Sequence, residues 1–243
     1  MHRSRIRGIA VAVTITLLVA LAASCGSEPE PIAEPELTTE DLLASAGEQL
    51  AAITTAKFSM VDETRSGQMF FGTTLKTVEG DIRSPEAARM LVDVEAPGMG
   101  FVQLEIVAAG DKAFMKFSRD APWLPLPPEQ VPFNFGGIGT ILSDILPLMT
   151  NVTNAGKESF DGFDTIRING DVQSEQMSGL ISSVDSGHPI NLSFWFDETD
   201  HRLRQLRIVG QLFDMDGPGT SRLVNMDINV PVDIQLPDMA AGS

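Results

Sequence analysis

Residues 130–156 read QVPFNFGGIGTILSDILPLMTNVTNAG. This stretch carries one charged side chain, Asp144, in a chain whose net charge is −16. From Ile138 to Met149 the apolar residues recur at helical spacing and cover more than one side of the predicted helix. Pro147 must end or kink that helix. A helix that is apolar most of the way round must contact apolar material on two sides. The stretch therefore predicts either a helix buried between sheet and loops or a flexible cover over an apolar cavity.

The segments on both sides of this stretch predict a large antiparallel sheet. In Ile190–Asp197, apolar side chains at every second position alternate with polar ones, and Arg204–Leu212 and Leu223–Val230 repeat the pattern. Such alternation indicates a sheet with one apolar and one hydrated face. The predicted strands span residues 57–62, 68–81, 87–95, 101–109, 112–117, 158–160, 163–172, 190–197, 202–215 and 220–230.

Three predicted helices are available to cover the apolar face. The first follows Thr38, a good capping residue, and the second lies in the stretch quoted above. The third is predicted over Ser174–Val184, which places Met177 and Leu180 on one side. Because a sheet of this size curls, the sequence predicts an α+β fold in which a curved sheet wraps around helices.

The first residues of the chain predict export from the cytoplasm. A segment rich in arginine precedes the apolar run Ile9–Ala23, which is shorter than the about 20 residues that span a bilayer. The run leads into Cys25, the only cysteine in the chain. This arrangement resembles the lipobox of bacterial lipoproteins, in which the cysteine is acylated, for example with palmitate, and becomes the mature N-terminus. The alternative is an ordinary signal peptide followed by an incidental cysteine.

Composition divides the chain into three parts. We expect residues 1–24 to be a lipoprotein signal peptide and residues 25–37, rich in Pro and Glu, to be an extended tether. Residues 38–243 are long enough for one domain with a substantial core. The acidic surface makes nucleic acid an unsuitable partner, because phosphate binding needs clustered Lys and Arg. It also leaves membrane attachment to the acyl chains on Cys25.

No pattern in the sequence predicts catalysis, a cofactor or a metal site. His188 and His201 lack partners at metal-ligand spacing, so we expect surface histidines. The glycines of residues 136–139 are not followed by the lysine of a phosphate loop. Asp214 and Asp216 resemble the start of a calcium loop, but Pro218 and Asn225 stand where ligands would follow, which favours a hairpin turn.

One segment carries a family resemblance. Residues 157–172 read KESFDGFDTIRINGDV, and this resembles a run in the LppX/LprA/LprF/LprG family of actinobacterial lipoproteins. The matching residues are Glu158, Gly162, Thr165, Arg167 and Gly170. Shorter matches at 42–46, 80–81, 148–152 and 197–203 extend the resemblance over nearly the whole chain from Cys25. We expect Arg167 to form a structural ion pair with a carboxylate, in preference to binding a head group.

The resemblance implies a curved antiparallel half-barrel sheet whose concave apolar face is covered by helices, similar to the LolA/LolB carriers. It also implies a lipid-anchored protein on the extracytoplasmic side of the cell membrane. Such a protein would hold the acyl chains of a lipid or glycolipid, help to transport them across the envelope, and work with a membrane transporter. The alternative is an anchored sensor or accessory protein with a solid core and a membrane-protein partner.

Strand parity and helical spacing choose the candidate lipid-binding residues. They are Met90, Val92, Val102, Leu104, Ile141, Leu142, Ile145, Leu146, Met149, Ile166, Ile168, Leu192, Phe194, Phe196, Leu206, Ile208, Val224, Met226 and Ile228.

Overall fold

A computed structural model describes residues 37–68, 72–131, 134, 137–181 and 184–237 of the chain. The predicted signal peptide and Cys25 lie outside these residues, as does the tether except for Leu37. The acyl anchor and the domain boundaries therefore stay predictions.

Eleven antiparallel strands form one curved, unclosed sheet with the order β6-β5-β4-β3-β2-β1-β11-β10-β9-β8-β7. Two meanders, β1–β6 and β7–β11, are joined where the first strand pairs with the last. This confirms the predicted half-barrel. The strands are β1 Thr55–Asp62, β2 Thr74–Arg83, β3 Ala87–Ala96, β4 Gly100–Ala109, β5 Lys112–Lys116, β6 Leu124–Leu126, β7 Thr150–Phe160, β8 Phe163–Gln173, β9 Pro189–Asp197, β10 Leu203–Gly210 and β11 Ser221–Ile228.

Several predicted strand limits were wrong. β7 begins at Thr150, eight residues before the predicted start at Glu158. Two register shifts and the left-handed residues Asn151 and Gly156 interrupt its alternation, so the two-residue period does not show in the sequence. β2 begins at Thr74, later than predicted, and β10 ends earlier, at Gly210. The short edge strand β6 was not predicted.

The described residues contain two α-helices, α1 Thr39–Ala51 and α2 Ile138–Ile145. The Thr38 side chain accepts a hydrogen bond from the Asp41 amide at 3.1 Å, as expected of a helix cap. After α2 the chain makes one 3-10 turn through Pro147, where the predicted break occurs.

The predicted third helix was wrong. Residues Ser174–Met177 form only a short 3-10 turn, and the chain continues as a turn over 178–180. A capping box between Gln173 and Gln176 begins this turn. Met177 is nevertheless completely buried, so the apolar side chain reaches the core without a helix.

The outer face of the sheet is less hydrated than alternation predicts. Trp195 is 5% exposed there because the guanidinium groups of Arg167 and Arg207 lie 5.7 and 5.6 Å from its ring centre. Arg167 also pairs with Glu158 at 3.1 Å, which is the predicted structural ion pair. Farther along, Ile234 of the C-terminal segment packs with buried outer residues of β3 and β4.

Candidate functional site

The connection between β6 and β7 positions the candidate site. These two strands are the opposite edges of the sheet, so the chain between them must pass from one edge to the other. This connection carries α2, and Ile138, Leu142 and Ile145 of α2 belong to the same apolar cluster as the inner face of the sheet. Within the apolar stretch of the sequence, α2 therefore lies on the concave side.

α2 contacts apolar residues on more than one side, as its composition predicts. Gly139 packs against the backbone of α1 at Leu50. Ile141 lies over Gly179, where a Cβ atom would be 3.3 Å from the Ile141 side chain. Ile138, Leu142 and Ile145 belong to the same apolar cluster as the inner strand residues, so α2 has apolar neighbours on more than one side.

The inner face of the sheet presents an unbroken row of apolar side chains. Strand pairing places eight of them side by side across eight strands, from β8 to β4. In spatial order the row is Ile168, Phe194, Leu206, Val224, Met60, Val78, Val92 and Leu104. Cross-strand neighbours of this kind are the unit from which a sheet builds an apolar surface.

Two stacked aromatic rings add bulk to the row of apolar side chains at β9. Phe194 and Phe196 stack with ring centres 5.6 Å apart and an angle of 4° between their planes. Neither ring is exposed to solvent. This part of the inner face is completely buried.

The side chains in the middle of the inner face are less completely buried. β1 is the sixth of eleven strands and pairs with β11. On these central strands Phe58 and Val224 are only partly buried, although their neighbours Met60 and Leu206 are 6% and 3% exposed. The Phe58 ring lies over Gly80, where a Cβ atom would be 2.5 Å from it. Phe58 and Val224 thus keep part of their apolar surface accessible.

All of the predicted lipid-binding residues belong to one apolar cluster with these side chains. Val102, Ile141 and Val224 are partly buried, and the remaining predicted residues are buried. Sequence reasoning missed other members of the inner face, including Met60, Val78, Ile82 and Ile106. The two-residue period of β1, β2 and β4 would have identified them, because they share the parity of the chosen residues.

A buried ion pair at one end of the inner face was also missed. Arg222 is 4% exposed and donates to Asp216 at 2.9 Å. Asp216 also accepts from the amides of Gln68 and Leu212. Nearby, Asp62 accepts from the amides of Thr64, Arg65 and Gly67. These bonds tie the loop after β1 to the loop before β11.

Ion pairs on other parts of the sheet lower the pKa values of two carboxyl groups. Burial raises the pKa of Glu105, but the Lys116 and Arg89 side chains outweigh it and leave the pKa below its ordinary value of 4.5. Burial also raises the pKa of Asp197, yet the Thr199 amide and Arg204 lower it below 3.8 overall. Both groups are therefore ionised at neutral pH and serve as structural anchors for the strands.

Among the described residues, no group of three or more His, Cys, Asp or Glu side chains is arranged to hold a metal ion. His188 lies 3.2 Å from Asp214, and the Nδ1 atom of His201 lies 2.7 Å from the Ser45 hydroxyl. Across the same part of the chain, every helix is too short or too polar to cross a bilayer.

Comparison with known proteins agrees with this architecture. The model of the LppX_LprAFG lipoprotein family matches residues 39–232. The chain is 25% identical over 213 residues to the lipoarabinomannan carrier protein LprG of Mycobacterium tuberculosis (strain ATCC 25618 / H37Rv), covering 85% of this chain and 87% of that protein.

Two crystal structures share the fold. LprF from Mycobacterium bovis superposes with a TM-score of 0.62 and 13% identity, over 82% of this chain and 96% of LprF. LppX from Mycobacterium tuberculosis superposes with a TM-score of 0.54 and 20% identity, over 82% of this chain and all of LppX.

Proposed function

Because this chain belongs to the LppX_LprAFG lipoprotein family, we propose that it is a membrane-anchored carrier of acylated lipids or glycolipids. The acyl chains would lie on the concave side, between the central strands and the connection that carries α2. The head group would remain outside this apolar interior.

The partly accessible centre of the inner face carries the proposal. Phe58 and Val224 keep apolar surface accessible between strands whose other inner side chains are buried. An acyl chain placed there gains about 0.8 kcal/mol for each methylene removed from water. Ten methylenes would contribute about 8 kcal/mol before the cost of ordering the chain.

The name of the related LprG supports the choice of ligand class. LprG is described as a carrier of lipoarabinomannan, and we extend the class of acylated ligands, without that particular lipid, to this chain. The completely buried part of the inner face around Phe194 and Phe196 would then support the fold, and the partly accessible part would hold the ligand.

The anchor completes the proposal. Acylation of Cys25 would hold the protein on the extracytoplasmic side of the cell membrane, with residues 25–37 as the tether. A single acyl chain binds a bilayer only marginally, so more than one chain is needed for stable attachment. From this position the protein would receive lipid from a membrane transporter or another carrier and assist its passage across the envelope.

Native mass spectrometry of the purified protein, released from membranes in mild detergent, tests the proposal. We expect a bound lipid in addition to the acyl groups on Cys25, and organic extraction should remove only the bound lipid. A protein whose mass is accounted for by the chain and its anchor alone would contradict the carrier function. That result would favour the alternative, an anchored sensor or accessory protein with a solid core.

A further inference from the structure

The three most exposed large apolar side chains among the described residues are Met99, Phe101 and Met215, which are 74%, 67% and 62% exposed. Met99 lies in the turn between β3 and β4, Phe101 is the second residue of β4, and Met215 lies in the loop between β10 and β11. Single exposed apolar residues are ordinary on protein surfaces. Their common location requires an explanation.

Strand directions place all three residues at the same end of the sheet. β3 ends and β4 begins there, since Glu95 pairs with Phe101. β1 ends and β11 begins at this end too, since Asp62 pairs with Arg222. We call Met99, Phe101 and Met215 the apolar rim.

The turn that carries Met99 is a narrow projection. Gly98 and Gly100 flank it, both with φ of +77°, and a Cβ atom on either would have nothing within 4 Å. Positive φ at both positions suits glycine and keeps the turn narrow. A narrow turn with an unbranched apolar side chain at its tip suits a soft apolar layer better than a rigid complementary protein surface.

The loop that carries Met215 is held firmly. Asp216, the next residue, forms the buried ion pair with Arg222 and accepts the Gln68 amide at 2.6 Å. This fixes Met215 relative to the β1–β2 loop. The apolar rim is therefore presented by a braced end of the sheet.

Arg65, near the rim, suits an interface between water and lipid, although the exposed carboxylates of Glu95 and Asp214 lie close to the rim as well. A depression of about 500 Å³ beside the β3–β4 turn is lined by Arg65 and Lys76 together with Gly98 and Gly100. Lys76 pairs with Glu95 at 3.0 Å, and Arg65 is exposed. An exposed guanidinium beside apolar side chains can reach phosphate groups while the apolar side chains enter the acyl layer.

We infer that the apolar rim is a membrane-contact surface, which sets this end of the half-barrel against the bilayer. The inference rests on the proposed carrier function for its purpose, because a carrier must meet the membrane from which it takes lipid or to which it delivers lipid. Apolar insertion has to supply the attraction, since a net charge of −16 does not favour an anionic surface.

The first test measures how deeply the apolar rim enters the bilayer, and it does not require the protein to carry lipid. The anchored protein is placed in phosphatidylcholine vesicles with brominated acyl chains, and an indole is added by Phe101→Trp. The matched control is Leu236→Trp, since Leu236 is 39% exposed and lies in the C-terminal segment, whose Ile234 packs with Ala87 near the other end of the sheet. After subtraction of the native tryptophans, we expect strong quenching at 101 and little at 236. Equal quenching at the two positions would overturn the inference.

The second test separates membrane contact by the rim from lipid binding in the interior. The double variant Met99→Ser, Phe101→Ser should keep its bound lipid and melting temperature, because both side chains are exposed. Its rate of lipid transfer between vesicles should fall by about tenfold, the effect of losing about 1.4 kcal/mol of membrane attraction. An unchanged transfer rate with normal lipid content would contradict the role of the rim. If the parent protein carries no lipid, the carrier proposal fails, and the quenching experiment still decides whether the rim meets the membrane.

Discussion

A Cβ atom on Gly139 would lie 2.1 Å from the carbonyl oxygen of Leu50, so α2 and α1 meet backbone to backbone. Gly139 is the second residue of α2, and the absence of a side chain there permits a close helix contact in the interior.

The first prediction concerns this contact. Gly139→Ala should lower the free energy of unfolding by about 1–3 kcal/mol, since the added methyl must push the helices apart. Gly47→Ala is the matched control, because a Cβ atom there meets Ser143 at an ordinary 3.4 Å. Ala is favoured over Gly inside a helix by about 0.5–1 kcal/mol, so this variant should be neutral or more stable. Urea unfolding of both variants measures the two effects, and equal changes would contradict the close contact.

The second prediction distinguishes accessible from solid interior. Val224→Trp fills space beside a partly buried side chain and should reduce bound lipid with little loss of stability. Val92→Trp, at a position with 0% exposure, should instead overpack the core and cost about 1–3 kcal/mol. Native mass spectrometry and thermal unfolding, performed on both variants, give the comparison. Equal destabilisation with unchanged lipid content would show that the centre of the inner face is as solid as its flank.

The third prediction concerns the buried ion pair at Arg222. Arg222→Met should leave the buried carboxylate of Asp216 without its cation and cost about 3–5 kcal/mol. Lys57→Met is the comparison, because the Lys57 and Asp81 side chains are 50% and 22% exposed, and loss of this partly exposed pair should cost at most about 1 kcal/mol. Chemical denaturation of the two variants measures the difference. A mild effect at Arg222 would mean that backbone amides alone stabilise the carboxylates.

The fourth prediction is a dependence of stability on pH. The pKa of Glu105 is lowered in the folded state, so its contribution is complete above its ordinary value of 4.5 and is lost as pH falls through the lowered pKa. Glu105→Gln should therefore lose less stability than the parent between about pH 6 and pH 3. The exposed Glu48→Gln should behave like the parent in the same denaturation series. Parallel pH curves for all three proteins would contradict the ion-pair assignment.

Strict alternation made β9, β10 and β11 predictable, because a strand with one buried face imposes a two-residue period on its sequence. The same rule located Phe194, Leu206 and Val224 on the inner face. It failed for β7, since an edge strand with two register shifts presents mostly exposed side chains. The rule also failed to identify Arg222 as an inward-facing residue, because alternation assigns a charged side chain to the hydrated face. Arg222 can face inward because the fold places Asp216 beside it.

The covering elements were harder to predict than the sheet. α1 has a cap and an apolar stripe within thirteen residues, so local information suffices. Residues 174–180 carry a helical pattern of apolar residues, but a capping box and a turn provide the burial of Met177 without a helix. Accessibility at Phe58 and Val224 depends on which segments cross above them, and that is a property of the whole topology.

The edges of the sheet have a consequence for the size of the interior. β6 is three residues long with Pro125 at its centre, β7 is interrupted by two register shifts, and these two strands do not pair with each other. A closed barrel has a circumference fixed by strand number and stagger. This unclosed sheet has no fixed circumference, because it can bend while the hydrogen bonds between its strands stay intact. Under the proposed function, ligands of different bulk would therefore be accommodated by bending of the sheet, at a cost set by its stiffness and not by the breaking of hydrogen bonds.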